Sequence, residues 1–192
     1  VEFGLCAIFL MPLYIWTVIV GMDMKRLMQT NQVSRDAGHM YARWVDFSKA
    51  GNKDLIVRLA SGMNMTRDGG AGVVILSRVM KIGASQCTAG GVALTSCTNK
   101  DQIVFIQRIV IGNKDKAPSK FGTPSDSILN SDGTIDAVDY LKNASAVSPN
   151  FAATLALTDG EEAFLSECWF ESIVRDFPTL NNRGPVYART IY

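Results

Sequence analysis

VEFGLCAIFLMPLYIWTVIVGMDMKRLMQTNQVSRDAGHMYARWVDF, residues 1–47, decides the fold. From Phe3 to Met22 the chain carries no charge, a run of roughly 20 residues that at ~1.5 Å per residue matches the thickness of a bilayer core. A cleaved secretory signal would show a basic n-region, a shorter apolar core and a small-x-small site. Met22-Asp23-Met24-Lys25-Arg26 offers none of these. Beyond Met22 the helical period continues: Met24, Leu27, Met28, Val33, Ala37, Met40, Tyr41, Trp44, Val45 and Phe47 recur three and four apart among polar residues. The spacing predicts one continuous helix from about Glu2 to about Phe47, apolar all round in its first half and amphipathic in its second. Pro12 removes a backbone hydrogen bond and crowds the preceding turn, which predicts a kink or a locally melted stretch around residues 8–12.

Outward from this helix, a turn is expected at Ala50-Gly51-Asn52. DLIVRLASGM (54–63) then reads as a short second helix capped by Gly62. After Asp68-Gly69-Gly70 the period changes. GVVILSRVMKI (72–82) and QIVFIQRIVIG (102–112) are β-branched runs of strand length, each with one Arg, Arg78 or Arg108, marking a wet face. In EEAFLSECWFESIV (161–174), Phe164, Ser166, Cys168 and Phe170 alternate with Leu165, Glu167, Trp169 and Glu171, a strand between two different environments. The expected class is α+β: a long N-terminal hydrophobic and amphipathic helix with a C-terminal antiparallel β-sheet head. The corresponding division is a hydrophobic helix at 1–22, the amphipathic and second helices at 23–62, and a β-rich head at 63–192. Within the head, the polar, turn-rich insertion 113–150 is expected to form exposed loop surface, with a helical turn or two in IDAVDYLKNAS. NNRGPVYARTIY at the end predicts a short edge strand.

Composition narrows the function. The chain has 192 residues, 19 basic against 18 acidic, and a formal net charge of +1. Neither the balance nor the scattered placement of the charges suits a nucleic-acid surface. No GxSxG, HExxH, P-loop or GxGxxG framework occurs. His39, the one histidine, stands mid-helix beside Met40 and Tyr41, where a packed or surface role outweighs a catalytic one. No catalytic residue, metal or cofactor is expected. NSDGTIDAVD resembles part of a calcium loop through Asn130, Asp132, Gly133, Ile135 and Asp139, but Ile128 stands where the first ligand belongs, so an Asp-Gly turn is the expectation. Asn64-Met-Thr66 and Asn143-Ala-Ser145 match the glycosylation sequon, a frequent chance match.

Of the four cysteines, Cys6 sits in the apolar run as a small hydrophobe. Cys87 and Cys97 flank a Gly/Ala/Ser/Thr loop that a disulfide would staple, with Cys168 as the alternative partner of either.

Glu2 resists a bland reading. An unpaired carboxylate at the inserting end of a hydrophobic helix costs a few kcal/mol or more in hydrocarbon. It either sits at the interface, favoured by the helix dipole, or meets a charge partner such as the α-amino group of an adjacent subunit. The absence of an initiator Met is expected if an upstream segment has been removed, and equally if the sequence is a truncated piece of a longer chain.

VEFGLCAIFLMPL followed by RDAGHMYARW is similar to the N-terminal segment of type IV pilin-like proteins. More closely it resembles the TadE-like family of tight-adherence pili, and DGEEAFLSECWFE resembles a strand near that family's C-terminus. The resemblance covers about the first 45 residues well and 159–171 loosely. It implies a structural subunit that enters the inner membrane, loses a leader to a prepilin peptidase, and is drawn by the pilus assembly machinery into an extracellular helical homopolymer at the cell surface, with a part in adhesion. It also implies that Val1, Glu2, Phe3 and Pro12 serve assembly, with Glu2 neutralising a neighbour's N-terminal amine. The family's glutamate is the fifth mature residue, which implies three further residues ahead of Val1 or a different cleavage point. A pseudopilin of a secretion system and a membrane-anchored periplasmic enzyme or binding domain are the competing classes.

Overall fold

The computed structural model describes residues 2–172 and 185–192, with side chains from Ala7 onward. The class is α+β: helix α1 (Glu2–Ala42) leads into an antiparallel four-stranded sheet. At ~1.5 Å per residue its 41 residues extend about 60 Å. The helix runs unbroken through Pro12. The expected local melting is absent because one missing hydrogen bond leaves the flanking turns to hold the dihedrals. It ends five residues earlier than its period suggests. Trp44 takes φ 65°, Trp44 N–H donates to Tyr41 O at 3.0 Å and Val45 N–H donates to Met40 O at 3.1 Å, which is the paired-bond C-terminal motif usually closed by Gly. The strain of an aromatic residue there is offset by its ring, which packs edge-on to Phe164 at 5.5 Å and lies under the Arg78 guanidinium at 5.0 Å.

Helix α2 (Ala50–Leu59) starts four residues ahead of expectation, taking up the residues read as a turn, and is capped at Ala60 rather than Gly62. Gly62 follows in a left-handed turn at φ 84°. A small hairpin, β1 (Met65–Thr66) with β2 (Gly69–Gly70), precedes the main sheet. That sheet has the order β4-β3-β5-β6 and comprises β3 (Gly72–Lys81), β4 (Ile103–Gly112), β5 (Glu162–Phe170) and β6 (Val186–Ile191). These match the strand runs read from the sequence to within a residue or two at the described ends; residues 173–174 of the third run and 181–184 of the tail lie outside the described residues. Helix α3 (Ala84–Ala89) and the disulfide loop join β3 to β4.

The sheet is buried on both faces. On one, α1 lies across β5 and β6, and Val33, Ala37 and Tyr41 share a core with Phe47, Ile56, Val74, Leu76, Ile109, Ile111, Cys168 and Phe170. The other is covered by the insertion 113–150. This corrects the expectation of exposed loop surface: Ala117, Phe121, Ile128, Ile135, Leu141 and Ala146 are buried, most of them in the core built around Val79, Val104, Phe105 and Leu165. The insertion carries helix α4 (Ala137–Lys142), within the stretch expected to turn helically, and two single 3-10 turns. It also covers the free edge of β4, where Arg108 N–H donates to Gly133 O at 2.7 Å and Ile135 N–H donates to Ile106 O at 3.0 Å, so that strand offers no open edge there for pairing.

Candidate assembly surface

Two different surfaces follow one another along α1. Between Ile19 and Tyr41 the buried positions are Ile19, Arg26, Thr30, Val33, Ser34, Ala37, Gly38 and Tyr41, a stripe at three- and four-residue spacing that faces the head. Much of the contact is small or hydroxyl-bearing, so helix and sheet approach closely. Thr30 Oγ1 satisfies itself on Arg26 O at 2.8 Å. Ser34 Oγ lies 3.1 Å from Thr190 Oγ1 and donates to Ser166 O at 3.3 Å. Tyr41 OH donates to Gln107 Oε1 at 3.0 Å. Arg26 reaches Met63 O at 3.4 Å. Sequence reading missed this polar interface, because it ranked α1's residues by apolarity. The signal was present in the i, i+4 succession Arg26, Thr30, Ser34, Gly38.

The apolar residues it favoured instead, Met24, Leu27 and Met28, are exposed. They continue outward a surface that begins at Ile8 and Phe9 and includes Leu10, Met11, Leu13, Tyr14, Ile15, Trp16 and Val18, all exposed. Only 6% of the most apolar 18-residue window is buried within the chain. The core helix of a globular domain would be mostly buried, so this surface needs another apolar environment. By length and composition the helix can cross a membrane. Below Met28 the outward side turns polar at Asn31, Gln32, Arg35 and Asp36. The unpartnered apolar surface therefore spans residues 8–28, about 30 Å of helix.

Pro12 lies exposed in this surface. Val1 and the side chains of Glu2, Phe3 and Cys6 lie outside the described residues. Cys87 and Cys97 are joined, with Cα atoms 6.0 Å apart, and Cys168 is a buried free thiol on the opposite face of the sheet, in the core under α1. The alternative pairing through Cys168 would have to cross the sheet. Asn130 and Asp132 form a turn: Asp132 Oδ1 accepts from Thr134 N–H at 2.9 Å and Thr134 Oγ1 at 2.6 Å, and Gly133 holds φ 79°. Asn130 Nδ2 donates to Asp136 Oδ1 at 3.0 Å, while Asp139 sits in the first turn of α4. Among the described residues no group of three or more His, Cys, Asp or Glu is placed to hold a metal ion. His39 is exposed, its ring 5.9 Å from that of Tyr192.

Comparisons with protein-family models, with curated protein sequences and with solved structures give no match.

Proposed function

We propose that this chain is the structural subunit of an extracellular, type IV-like pilus filament of the tight-adherence kind, held first in the inner membrane and then in a bundle of its own copies. The observation that supports this reading is the division of α1: its distal half is docked on a folded head, while residues 8–18 present almost wholly apolar side chains, all exposed. The exposed apolar surface is about as long as a bilayer core is thick, and it passes Asp23 and Lys25 to Met28 on the same unbroken helix that docks on the head. Lipid satisfies such a surface before assembly and parallel copies of the same helix satisfy it afterwards, since apolar side chains gain nothing by choosing one over the other except packing.

On this reading the helices form the filament core, the heads form its outer layer, and Glu2 meets a cationic partner on a neighbouring copy. The chain is a non-enzymatic subunit whose partners are itself, the membrane, a prepilin peptidase and the assembly machinery. Glu2→Ala tests the pairing. The variant is expected to insert into membranes as the wild type does and to give few filaments; a normal filament yield would remove the pairing role.

A further inference from the structure

Arg108 is placed on β4 at a register position facing away from α1, opposite Ser77 of β3. It is buried to 6% exposure. A guanidinium carries five N–H donors, and among the described residues Arg108 has one acceptor, Gly122 O at 3.0 Å from Nη1. The Phe105 ring lies 5.9 Å from its Cζ. No carboxylate lies within ion-pair distance among the described residues. Glu167, a buried acid that acts on Arg108 electrostatically, is occupied: it accepts from Ser119 Oγ, from Lys120 N–H at 3.0 Å and from Tyr187 OH at 3.0 Å. Asp126 acts on Arg108 only at longer range, and burial lowers the guanidinium's pKa against the pull of both acids.

Arg108 is nonetheless not a sealed orphan: none of its nitrogens is among the buried polar atoms without a partner, so its spare N–H donors stay open to solvent. It lines a cavity of about 420 Å³ with Ile75, Val110, Ala117 and Leu129 as apolar walls and Lys114 as a second cation. That volume and mixture suit a small ligand with an apolar body and one charged head. We propose that this cavity is a binding site for a small monocarboxylate with an apolar body, its carboxylate held by the Arg108 guanidinium and assisted by Lys114. Planar carboxylates match the guanidinium fork. Asp115 and Asp126, which also line the cavity and are exposed, repel any anion, and repel one of higher charge such as phosphate more than a single carboxylate. The site is independent of whether the chain polymerises, because it is built from the head alone.

Benzoate titrated against the full chain in detergent micelles tests this, read by the Arg108 Nε–H resonance in the wild type and, in every variant, by the methyl resonances of Ala117 and Leu129, which line the same cavity. Benzamide, of the same shape without the charge, controls for partition into the micelle. A saturable shift with benzoate, none with benzamide and a weaker one with inorganic phosphate is the expected result. Lys114→Ala, an exposed position, should weaken benzoate roughly two- to fivefold, and Arg108→Met by about tenfold or more. Equal responses to benzoate and benzamide, tighter binding of phosphate, no saturable shift at millimolar benzoate, or wild-type benzoate affinity in a folded Arg108→Met variant would each overturn the assignment.

Discussion

Gly38 of the long helix packs directly against Tyr192 and Ser166: a Cβ on Gly38 would lie 2.8 Å from Tyr192 Cε2 and 3.1 Å from Ser166 Cβ. Tyr192 OH in turn donates to Arg35 O at 3.1 Å, so the last residue of the chain is laid along α1. Two effects oppose each other in Gly38→Ala. Helix propensity gains about 1 kcal/mol, while crowding costs about 1–3 kcal/mol, so the net change is expected to run from neutral to about 1 kcal/mol destabilising. Gly38→Val adds bulk without further propensity gain and is expected to cost about 2–3 kcal/mol, a fall of roughly 5–10 °C in melting temperature. Truncating Tyr192 in the Gly38→Ala background should recover part of the loss. Additivity of the two changes would show that the contact is not felt.

Reading the disulfide requires no assumption about assembly. The bond closes an 11-residue loop between α3 and β4, and opening it by Cys87→Ser with Cys97→Ser is expected to cost about 2–3 kcal/mol. Non-reducing peptide mapping should recover residues 87 and 97 in one linked fragment. Finding both thiols free would remove the staple.

Cys168 is buried beneath Ser34 and Ser166, and burial pushes its thiol from 9.0 up to about 12. It should therefore be inert to a thiol-specific disulfide reagent at pH 8 until the head unfolds. The folded value lies above the unfolded one, so the contribution to stability is complete below about pH 9 and is lost as pH rises towards 12. Tyr41 and Tyr187 are raised chiefly by burial and act in the same direction. A urea midpoint flat from pH 7 to 9 and falling above it is expected; rapid labelling of Cys168 in the native protein would contradict the burial.

Glu167 ties the insertion to the sheet through Ser119, the Lys120 amide and Tyr187. Lys120 Nζ closes the cluster, 4.1 Å from the Tyr187 ring and 5.3 Å from that of Trp169. Glu167→Ala orphans three donors and is expected to destabilise by about 2–4 kcal/mol, with proteolytic nicking concentrated in 113–125. Uniform cleavage across the head would argue that the tie is not local.

The parts of this fold that could be read from sequence are those with a period. The β-branched runs gave β3 and β4, and the alternation of Phe164, Ser166, Cys168 and Phe170 against Leu165, Glu167 and Trp169 gave β5 with its two buried faces. What could not be read lacks one. The end of α1 depends on Trp44 adopting a left-handed backbone, a choice made by its contacts with Arg78 and Phe164. The roof over the second face depends on Ala117, Phe121, Ile128, Ile135 and Leu141, single apolar residues separated by turns, each meaningful only once the sheet exists. The surface of α1 was legible as apolar, but which side meets the head was not. Arg26, Thr30 and Ser34 are buried by close approach rather than by hydrophobicity, leaving Met24, Leu27 and Met28 outside.

The central claim is that residues 8–28 of α1 are an assembly surface and not only an anchor. Electron microscopy of the full chain after removal from detergent tests it most directly. A helical polymer whose axial density is filled by α1, with Ile8 to Met28 in contact between copies and the sheet heads outside, is the result expected. Dispersed particles, or aggregates without helical order in which the head alone is regular, would contradict it.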